Sequence, residues 1–282
     1  MEIQRIAAFS ANGKGGNPAG IVLLETDVSA MAMQKVAAEV GYSETAFAIP
    51  ANGTKRTWRV RYFSPESEVP FCGHATIALG AALGSRFGEG TYNLNLNTTS
   101  ITVDAAPSPH GMMATLASPP TKSQAITDDE VQDAMALLGL ARDDLDTRLP
   151  PARIHAGADH LVFALRDRDR LAAMAYDLDA GRAMMRRHKI VTIMLVHIDG
   201  ERDFCVRNAF ASGGVLEDPA TGAAAAAFAG YLRDRDWPHG NQFTIRQGED
   251  MGAPSIIQVQ LNTKAGSSVR VSGHAYKIDD PH

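Results

Sequence analysis

The sequence contains little cysteine, has no excess of basic residues and lacks a long apolar run. Only two of its 282 residues are cysteine, Cys72 and Cys205, which argues against a secreted disulfide scaffold and favours a reducing cytoplasm. The net charge of −5 provides no basic surface for nucleic acid or an anionic membrane. The longest apolar run, Ala223–Gly230, is too short to span a bilayer, and the N-terminus lacks the features of a signal peptide. We therefore expect a cytoplasmic protein that binds neither nucleic acids nor membranes.

Several signatures of metal, cofactor and nucleophile chemistry are also missing. None of the nine histidines belongs to an H-x-x-x-H pair, and no C-x-x-C pair is present, so no metal site is predicted. The chain has neither a G-x-G-x-x-G loop nor a G-x-S-x-G elbow, so a dinucleotide cofactor and a serine nucleophile are unsupported. His155 and His160 flank a predicted turn and are expected at the surface. A buried Cys72 is the simpler interpretation of that thiol than a nucleophile.

One stretch of the chain occurs twice. Glu68–Leu83 reads EVPFCGHATIALGAAL, and Glu217–Leu232 reads EDPATGAAAAAFAGYL, at a constant offset of 149 residues (217 − 68 = 149). Each copy follows a strand-like run and combines a Pro/Gly turn with an Ala-rich helix. This internal repeat predicts two related halves.

Each copy of the repeat has the features of a ligand site. The proline belongs to a turn, because it cannot lie inside a helix, and the glycine permits a close backbone approach. The helices are expected to begin near His74 and Ala223, where their first N–H groups lack partners and favour an anion. Both helices are apolar nearly all round, which predicts full burial.

The rest of the chain supplies alternating strands and amphipathic helices. Ser29 is a plausible cap for a helix that ends at Gly41. Glu44 follows that helix and enters a strand, where a solvent-facing carboxylate is the simple interpretation. Helices are predicted over Ser29–Val40, Asp128–Leu140, Asp169–Tyr176 and Asp179–Arg187, and strands include Ile3–Phe9, Ala19–Leu24, Lys55–Phe63, Phe87–Asn97, Ile190–Ile198 and Phe243–Arg246. The linker candidate Ser118–Lys122 divides the chain into a first half, 1–118, joined by the strand at about 268–282, and a second half, 119–267.

Six blocks of the sequence, in order, resemble the phenazine-biosynthesis isomerase family, the PhzF-like proteins. The resemblance covers essentially the whole chain. The blocks are Gly16–Ala19, Ser43–Phe47, Arg61–Thr76, Glu217–Gly222, Gln247–Gly248 with Gly252–Ser255, and Val271–Ala275.

The resemblance implies a fold of the diaminopimelate epimerase type. That fold is α+β, with two similar halves, each a mixed β-sheet curled around a central α-helix, and an active site between the halves. It also implies a homodimer and cofactor-free isomerisation of a small cyclic unsaturated amino acid such as trans-2,3-dihydro-3-hydroxyanthranilate.

The resemblance also assigns the site residues. Glu44 matches the family's acid/base group, and His74 and Asp218 match its polar partners. The implied substrate contacts are Ser43, Gly73, Thr221, Gly222 and Ala223.

One position departs from the family pattern. The second motif usually has serine after its glycine, and here that position is Ala223, so one hydrogen bond to the substrate or to the acid/base is lost. A different substrate, or a non-catalytic small-molecule binding or regulatory role, is therefore an alternative. A two-thiol amino-acid epimerase is a weaker alternative, because Thr221 stands where a second thiol would be needed.

Overall fold

The computed structural model describes residues 1–51 and 53–279, and these form two compact units. The first unit contains Met1–Ala117 and the chain from Ser272 onward, and the second contains Ser118–Val271. No helix among the described residues has both the length and the apolar character needed to cross a membrane.

The chain up to Ala117 alternates strands with two helices. Its elements are β1 (Gln4–Ala8), β2 (Asn17–Leu23), α1 (Ala30–Val40), β3 (Thr45–Pro50), β4 (Thr57–Phe63), β5 (Glu68–Val69), α2 (Gly73–Phe87), β6 (Gly90–Asn95), β7 (Ser100–Ser108) and β8 (Gly111–Ala117).

The described chain after Ala117, up to residue 279, contains four further helices. Its elements are β9 (Lys122–Ala125), α3 (Asp128–Leu138), β10 (Ala152–His155), β11 (Asp159–Leu165), α4 (Arg168–Ala172), α5 (Leu178–His188), β12 (Thr192–Ile198), β13 (Asp203–Ala209), β14 (Glu217–Asp218), α6 (Gly222–Asp234), β15 (Gln242–Gln247), β16 (Ser255–Gln260) and β17 (Arg270–Lys277). Three short 3₁₀ turns lie at Arg142–Asp144, Ala211–Gly213 and Glu249–Met251.

The strand pairings of the first unit form a closed ring. From β1 the ring runs through β2, β3, β4, β6, β7 and β8, and only β2–β3 and β4–β6 are parallel. β17 pairs with β1 and with β8 and so completes the ring. The helix α2 contacts β1, β2, β3, β6, β7 and β8, and every residue from Gly73 to Gly84 is buried. Gly80 permits this packing, because a Cβ there would lie 2.5 Å from Cγ2 of Val103.

The second unit has the same kind of mixed sheet. The pairings run from β9 through β10, β11, β12, β13 and β15 to β16, and β11–β12 and β13–β15 are the parallel pairs. The helix α6 contacts β9, β10, β11 and β16. Gly230 lies against Thr121, where a Cβ would approach to 2.5 Å. These mixed sheets and helices confirm the predicted α+β class.

The two copies of the repeated motif begin in the same way. β4 pairs antiparallel with the two-residue strand β5 and parallel with β6, the strand that follows α2. β13 pairs antiparallel with β14 and parallel with β15, the strand that follows α6. Each motif therefore connects two parallel strands through a turn and a buried helix.

The other helices cover the sheets with apolar residues. In the first unit, Met33 and Ala37 of α1 pack with Val22, Phe47 and Phe63 of the strands. In the second, residues of α3, α4 and α5 pack on β11, β12 and β13. The predicted cap of α1 is confirmed, since the Ser29 side chain accepts a hydrogen bond from the N–H of Ala32, and the helix ends at Gly41 with φ 72°.

One predicted strand boundary was wrong. Phe87 was assigned to the strand that becomes β6, but it is the last residue of α2. Its ring packs on Trp58, with the ring centroids 5.4 Å apart. Tertiary packing therefore overrides the preference of an aromatic residue for a strand.

Candidate active site

Arg61 fixes the start of the first motif. Its Nε and Nη2 donate to the two carboxylate oxygens of Glu68 at 2.8 and 2.6 Å. These hydrogen bonds lower the pKa of Glu68 and raise the pKa of Arg61. Glu68 is therefore the anion of an ion pair, and the turn after it ends at Cys72, the residue that precedes α2.

Glu44 and His74, the predicted acid/base and its partner, lie in contact. Glu44 directly precedes β3, and His74 is the second residue of α2. The Nε2 of His74 lies 3.4 Å from the Oε2 of Glu44, and the two side chains are 7% and 13% exposed. The contact is not a hydrogen bond, because Oε2 is buried without a hydrogen-bond partner.

Two more polar side chains surround the imidazole of His74. The Oγ of Ser43 lies 3.4 Å from Nε2, and the Sγ of Cys72 lies 3.4 Å from Nδ1. Gly73, the residue between Cys72 and His74 in the sequence, begins α2 and is buried. The first unit therefore brings together four of the predicted residues, Ser43, Glu44, Gly73 and His74, and adds the thiol of Cys72.

The beginning of α2 is held by a buried pair of hydroxyl groups. The hydroxyl of Thr76 donates to the carbonyl of Cys72 at 2.7 Å. Tyr62 on β4 lies 2.7 Å from the same hydroxyl and therefore acts as the donor. Burial raises the pKa of Tyr62, which keeps the phenol protonated for this role. The first turn of the helix, with Cys72 and His74, is thus fixed to the sheet.

The second motif holds Asp218 through Thr221 and Gln247. The Thr221 hydroxyl donates to Oδ2 of Asp218 at 2.6 Å. The Nε2 of Gln247 donates to the carbonyl of Asp218 at 2.6 Å and to the Thr221 hydroxyl at 3.1 Å, and its Oε1 accepts from the Thr221 N–H at 3.2 Å. Gln247 was given no role from the sequence. Its one signal was that Gln247–Gly248 belongs to a block of the family resemblance.

Gly248 lets the chain pass close to this turn. Its φ is 76°, and a Cβ at this position would lie 2.3 Å from the carbonyl oxygen of Ala253 and 2.8 Å from that of Pro219. Both the backbone conformation and the space therefore require glycine.

The hydrogen bonds continue from Gln247 into the interior of the second unit. Asn208 donates from Nδ2 to Oε1 of Gln247 at 3.2 Å, and its Oδ1 accepts from the Thr192 hydroxyl at 3.1 Å. The Nδ1 of His160 lies 2.8 Å from that hydroxyl. Since the hydroxyl hydrogen is used by Asn208, Nδ1 must be the donor and carries the proton. A buried chain of polar groups therefore runs from His160 to Asp218.

The predicted surface position of His160 was wrong. Its exposure is 0%, and its Nε2 has no hydrogen-bond partner. Burial lowers its pKa to about 4, so the imidazole is neutral at neutral pH. His155 is 41% exposed and pairs with Asp159, at 2.6 Å from its Nδ1. His155 ends β10 opposite Asp159, whereas His160 lies within the buried strand β11, between Ile154 of β10 and Thr192 of β12.

The two helices of the repeated motif differ from four others at their N-termini. Side chains cap α1, α3, α4 and α5, from Ser29, Thr127, Asp167 and Asp177. The N-cap residues of α2 and α6, Cys72 and Thr221, make no side-chain cap hydrogen bond. The first N–H groups of α2 and α6 are therefore not capped by the side chain of the N-cap residue.

The remaining predicted residues lie at the start of α6. Gly222 is its first residue and is buried, and Ala223 follows it and is half-buried. Asp218, Thr221, Gly222 and Ala223 thus belong to the second unit, whereas Glu44 and His74 belong to the first.

Three side chains of the first unit could together bind a metal ion. One ligand atom each of Glu44, Cys72 and His74 lies within 4.8 Å of the others. No pattern in the sequence indicated this group, because Glu44 is distant in the chain and Cys72-Gly73-His74 matches no common metal-binding spacing.

Comparison with known proteins identifies the family. Residues 6–280 match the family model for phenazine biosynthesis-like proteins, PhzC-PhzF. The chain belongs to this family. This PhzF-like chain is 31% identical to a protein of Mesorhizobium japonicum named an uncharacterized isomerase, over 96% of this chain and 95% of that protein. The prediction of a PhzF-like isomerase is confirmed at the level of the family.

Two further relatives extend the comparison. The trans-2,3-dihydro-3-hydroxyanthranilate isomerase of Pseudomonas chlororaphis is 27% identical, over 94% of the PhzF-like chain and 92% of that enzyme. The crystal structure of a phenazine biosynthesis protein of the PhzF family from Bacillus anthracis has a TM-score of 0.85 at 20% identity. It covers 99% of this chain and 98% of that protein, so the fold is shared.

Proposed function

We propose that this PhzF-like chain is a cofactor-independent isomerase that shifts a proton on a small cyclic unsaturated amino acid, such as trans-2,3-dihydro-3-hydroxyanthranilate. The observation that carries the proposal is the environment of the Oε2 atom of Glu44. This oxygen is buried, has no hydrogen-bond partner, and lies 3.4 Å from the Nε2 of His74.

A proton shift needs one group that can both accept and return a proton. The Glu44 carboxylate takes a proton from one carbon of the substrate and delivers it to another carbon of the conjugated system. A buried oxygen without a partner is costly in the free protein, and a substrate group placed against it removes that cost. General acid/base catalysis by such a group contributes about 10²–10⁴-fold to the rate.

The substrate's own carboxylate needs a binding place near this oxygen. The N-terminus of α2 supplies one, because a 15-residue helix places a partial positive charge and backbone N–H groups at its first turn. The side chain of Cys72 makes no cap hydrogen bond to this turn. His74, the second residue of the helix, thus lies both at this anion site and beside Glu44.

The second motif supplies further groups to the proposed active site. Asp218 and Thr221 are expected to contact polar groups of the substrate, and Gly222 and Ala223 are expected to form its backbone boundary. The hydrogen bonds of Gln247 support this role, because they fix the turn that carries Asp218 before any ligand binds. A placement of the active site between the two halves stays a prediction of the family resemblance.

The test is solvent-deuterium incorporation followed by mass spectrometry. Wild type and Glu44→Gln are incubated in deuterated buffer with dihydro-hydroxyanthranilate and related unsaturated amino acids. Wild type should incorporate deuterium into at least one of them, and Glu44→Gln should be slower by about 10²-fold or more. The matched control is Glu66→Gln, which also removes a carboxylate of the first unit but at an exposed position, and it should behave as wild type.

Two outcomes would overturn the proposal. Equal exchange by Glu44→Gln and wild type would show that another group moves the proton. Tight binding of a tested ligand without exchange would favour the non-catalytic binding role that Ala223 suggested. The variant Asp218→Asn tests the role of the second motif apart from that of the first. A loss of affinity with retained exchange would assign Asp218 to binding alone.

We also propose that the chain forms a homodimer, as the family resemblance implies. Light scattering should give about twice the chain mass of 30.1 kDa, and a monomeric mass would contradict this assembly.

A further inference from the structure

We propose that Glu44, Cys72 and His74 form a binding site for a thiophilic divalent cation, with Zn²⁺ as the defining probe. The three side chains offer a carboxylate oxygen, a thiolate sulfur and an imidazole nitrogen, the three ligand types that Zn²⁺ uses in proteins. One such atom from each residue lies within 4.8 Å of the other two.

The separations of the donor atoms approach those of a tetrahedral zinc ion. Standard zinc–ligand lengths place a nitrogen and an oxygen about 3.3 Å apart, and a sulfur and a nitrogen about 3.5 Å apart. Here the Nε2 of His74 lies 3.4 Å from the Oε2 of Glu44 and 3.9 Å from the Sγ of Cys72. Both separations are therefore within about 0.5 Å of those around a tetrahedral zinc ion.

The unpartnered oxygen of Glu44 is a second observation that points to a ligand. Oε2 is buried and has no hydrogen-bond partner, which a coordinated cation would correct. Two of the ligands are already held in place, because Cys72 directly precedes α2, His74 lies in its first turn, and the Thr76 hydroxyl donates to the carbonyl of Cys72. Glu44 is the third, and its carbonyl accepts a hydrogen bond from the N–H of Gly20 at 3.2 Å.

The charges at the site are consistent with a dication. The N-terminus of α2 repels a cation but favours a cysteine thiolate. With Cys72 as thiolate and Glu44 as carboxylate, the two negative charges balance those of Zn²⁺, so that the occupied site is neutral.

A bound ion should also affect the proposed isomerase activity, and this part of the inference rests on the proposed function. A cation on Oε2 of Glu44 uses the lone pair that would accept the substrate proton. The bound ion should therefore inhibit isomerisation reversibly, and a chelator should restore the activity. Binding itself does not depend on the isomerase proposal, since it needs only the three donor atoms.

The experiment measures metal binding directly, without substrate. Protein treated with a chelator and then freed of it is titrated with Zn²⁺ by calorimetry, and with Co²⁺ by absorption spectroscopy. We expect one Zn²⁺ per chain, and a Co²⁺ spectrum with a sulfur charge-transfer band and tetrahedral ligand-field bands. Cys72→Ser and Glu44→Gln should each weaken Zn²⁺ binding by about 100-fold or more, since loss of an outer-shell partner alone costs 10–100-fold.

Cys205→Ser is the matched control. Cys205 is also buried and lies beside carboxylates, with its Sγ 3.2 Å from Oδ2 of Asp199, so it tests whether any buried thiol near an acid binds the ion. Retained binding in Cys205→Ser supports the proposal. Loss of binding in Cys205→Ser, equal binding by Cys72→Ser and wild type, or absence of stoichiometric binding to wild type would overturn it.

Folding and isomerase activity are measured separately in these experiments. Circular dichroism and thermal unfolding establish that each variant is folded, and Glu44→Gln provides a second test that leaves the thiol intact. Deuterium exchange by the chelator-treated wild type reports on the proposed isomerase, so a failure of metal binding is distinguishable from a failure of that function.

Discussion

Arg207 and Glu217 form a buried ion pair in which the guanidinium Nε lies 3.0 and 3.1 Å from the two carboxylate oxygens. Their side chains are 10% and 6% exposed. Arg61 and Glu68 make the same kind of pair at the other copy of the motif, with 21% and 27% exposure. In each unit, the arginine lies two residues before the end of a strand, and the glutamate begins the short strand paired with it.

The different burial of the two pairs predicts different costs of breaking them. Glu217→Gln leaves the buried charge of Arg207 without its counter-ion and should lower the free energy of unfolding by about 3–5 kcal/mol. Glu68→Gln removes a pair that water partly screens and should cost about 1 kcal/mol or less. Urea denaturation of both variants measures the difference. Equal losses would show that burial does not decide the strength of these pairs.

Thr45 and Thr76 provide a second matched comparison. Both are fully buried, but the hydroxyl of Thr45 has no partner, whereas that of Thr76 binds the carbonyl of Cys72 and accepts from Tyr62. Thr45→Val should therefore stabilise the protein by about 1 kcal/mol, since it removes an unsatisfied hydroxyl. Thr76→Val should destabilise it by about 1–3 kcal/mol, since it leaves the Tyr62 hydroxyl without an acceptor.

Thermal and urea unfolding of the two valine variants decide this prediction. A loss of stability in Thr45→Val would mean that its hydroxyl has a partner in solution. Thr45 adjoins Glu44, so deuterium exchange by the same variant would show whether that partner is part of the active site.

The sequence allowed much of the local structure to be predicted, because local signals determine it. Ser29 and Gly41 bound α1 as their capping preferences indicate. The aligned glycines Gly73 and Gly222 begin the two buried helices, one residue before the predicted starts. Alanine and glycine along both helices indicated burial, and close contacts such as that of Gly80 with Val103 explain it.

The remaining features depend on contacts between distant parts of the chain. Nothing near Gln247 indicates that its side chain holds Asp218, because the hydrogen bonds join β15 to the turn before α6. His160 was misplaced because its burial comes from the position of β11 between β10 and β12, and these pairings join separate parts of the chain. The contact between Glu44 and His74 was expected from the family resemblance alone, because no residue spacing in the sequence predicts it.

His160 predicts a loss of stability in acid. Burial lowers its pKa to about 4, whereas an unfolded histidine titrates near 6.5. The unfolded state therefore binds the proton more strongly, so the stabilisation is complete above about pH 6.5 and is lost as the pH falls toward about 4. The full loss amounts to about 3 kcal/mol.

The measurement is the free energy of unfolding at about pH 7.5 and at about pH 5. His160 alone should account for about 2 kcal/mol of the difference between these two values. His160→Gln lowers the stability at both pH values but should reduce the difference by that amount. An unaltered pH dependence in His160→Gln would contradict the low pKa.

Gln247 should be the most sensitive residue of the buried chain that leads to Asp218. The residue is 1% exposed, and its side-chain amide uses both donors and its acceptor oxygen, with partners in Asn208, Asp218 and Thr221. Gln247→Leu leaves several buried polar groups without partners and should cost about 3 kcal/mol or more. Gln258→Leu, an exposed position on β16, should change the stability by about 0.5 kcal/mol or less.

The same variant separates support of the fold from support of the site. If Gln247 holds Asp218 in place, then Gln247→Leu should weaken substrate binding under conditions where the protein remains fully folded, because the turn before α6 loses the amide that binds the carbonyl of Asp218. Asn208→Leu breaks the chain one step further away and leaves the contacts of Gln247 with Asp218 and Thr221 intact. It should therefore destabilise the protein with a smaller effect on binding. Equal effects of the two variants on binding would assign Gln247 to stability alone.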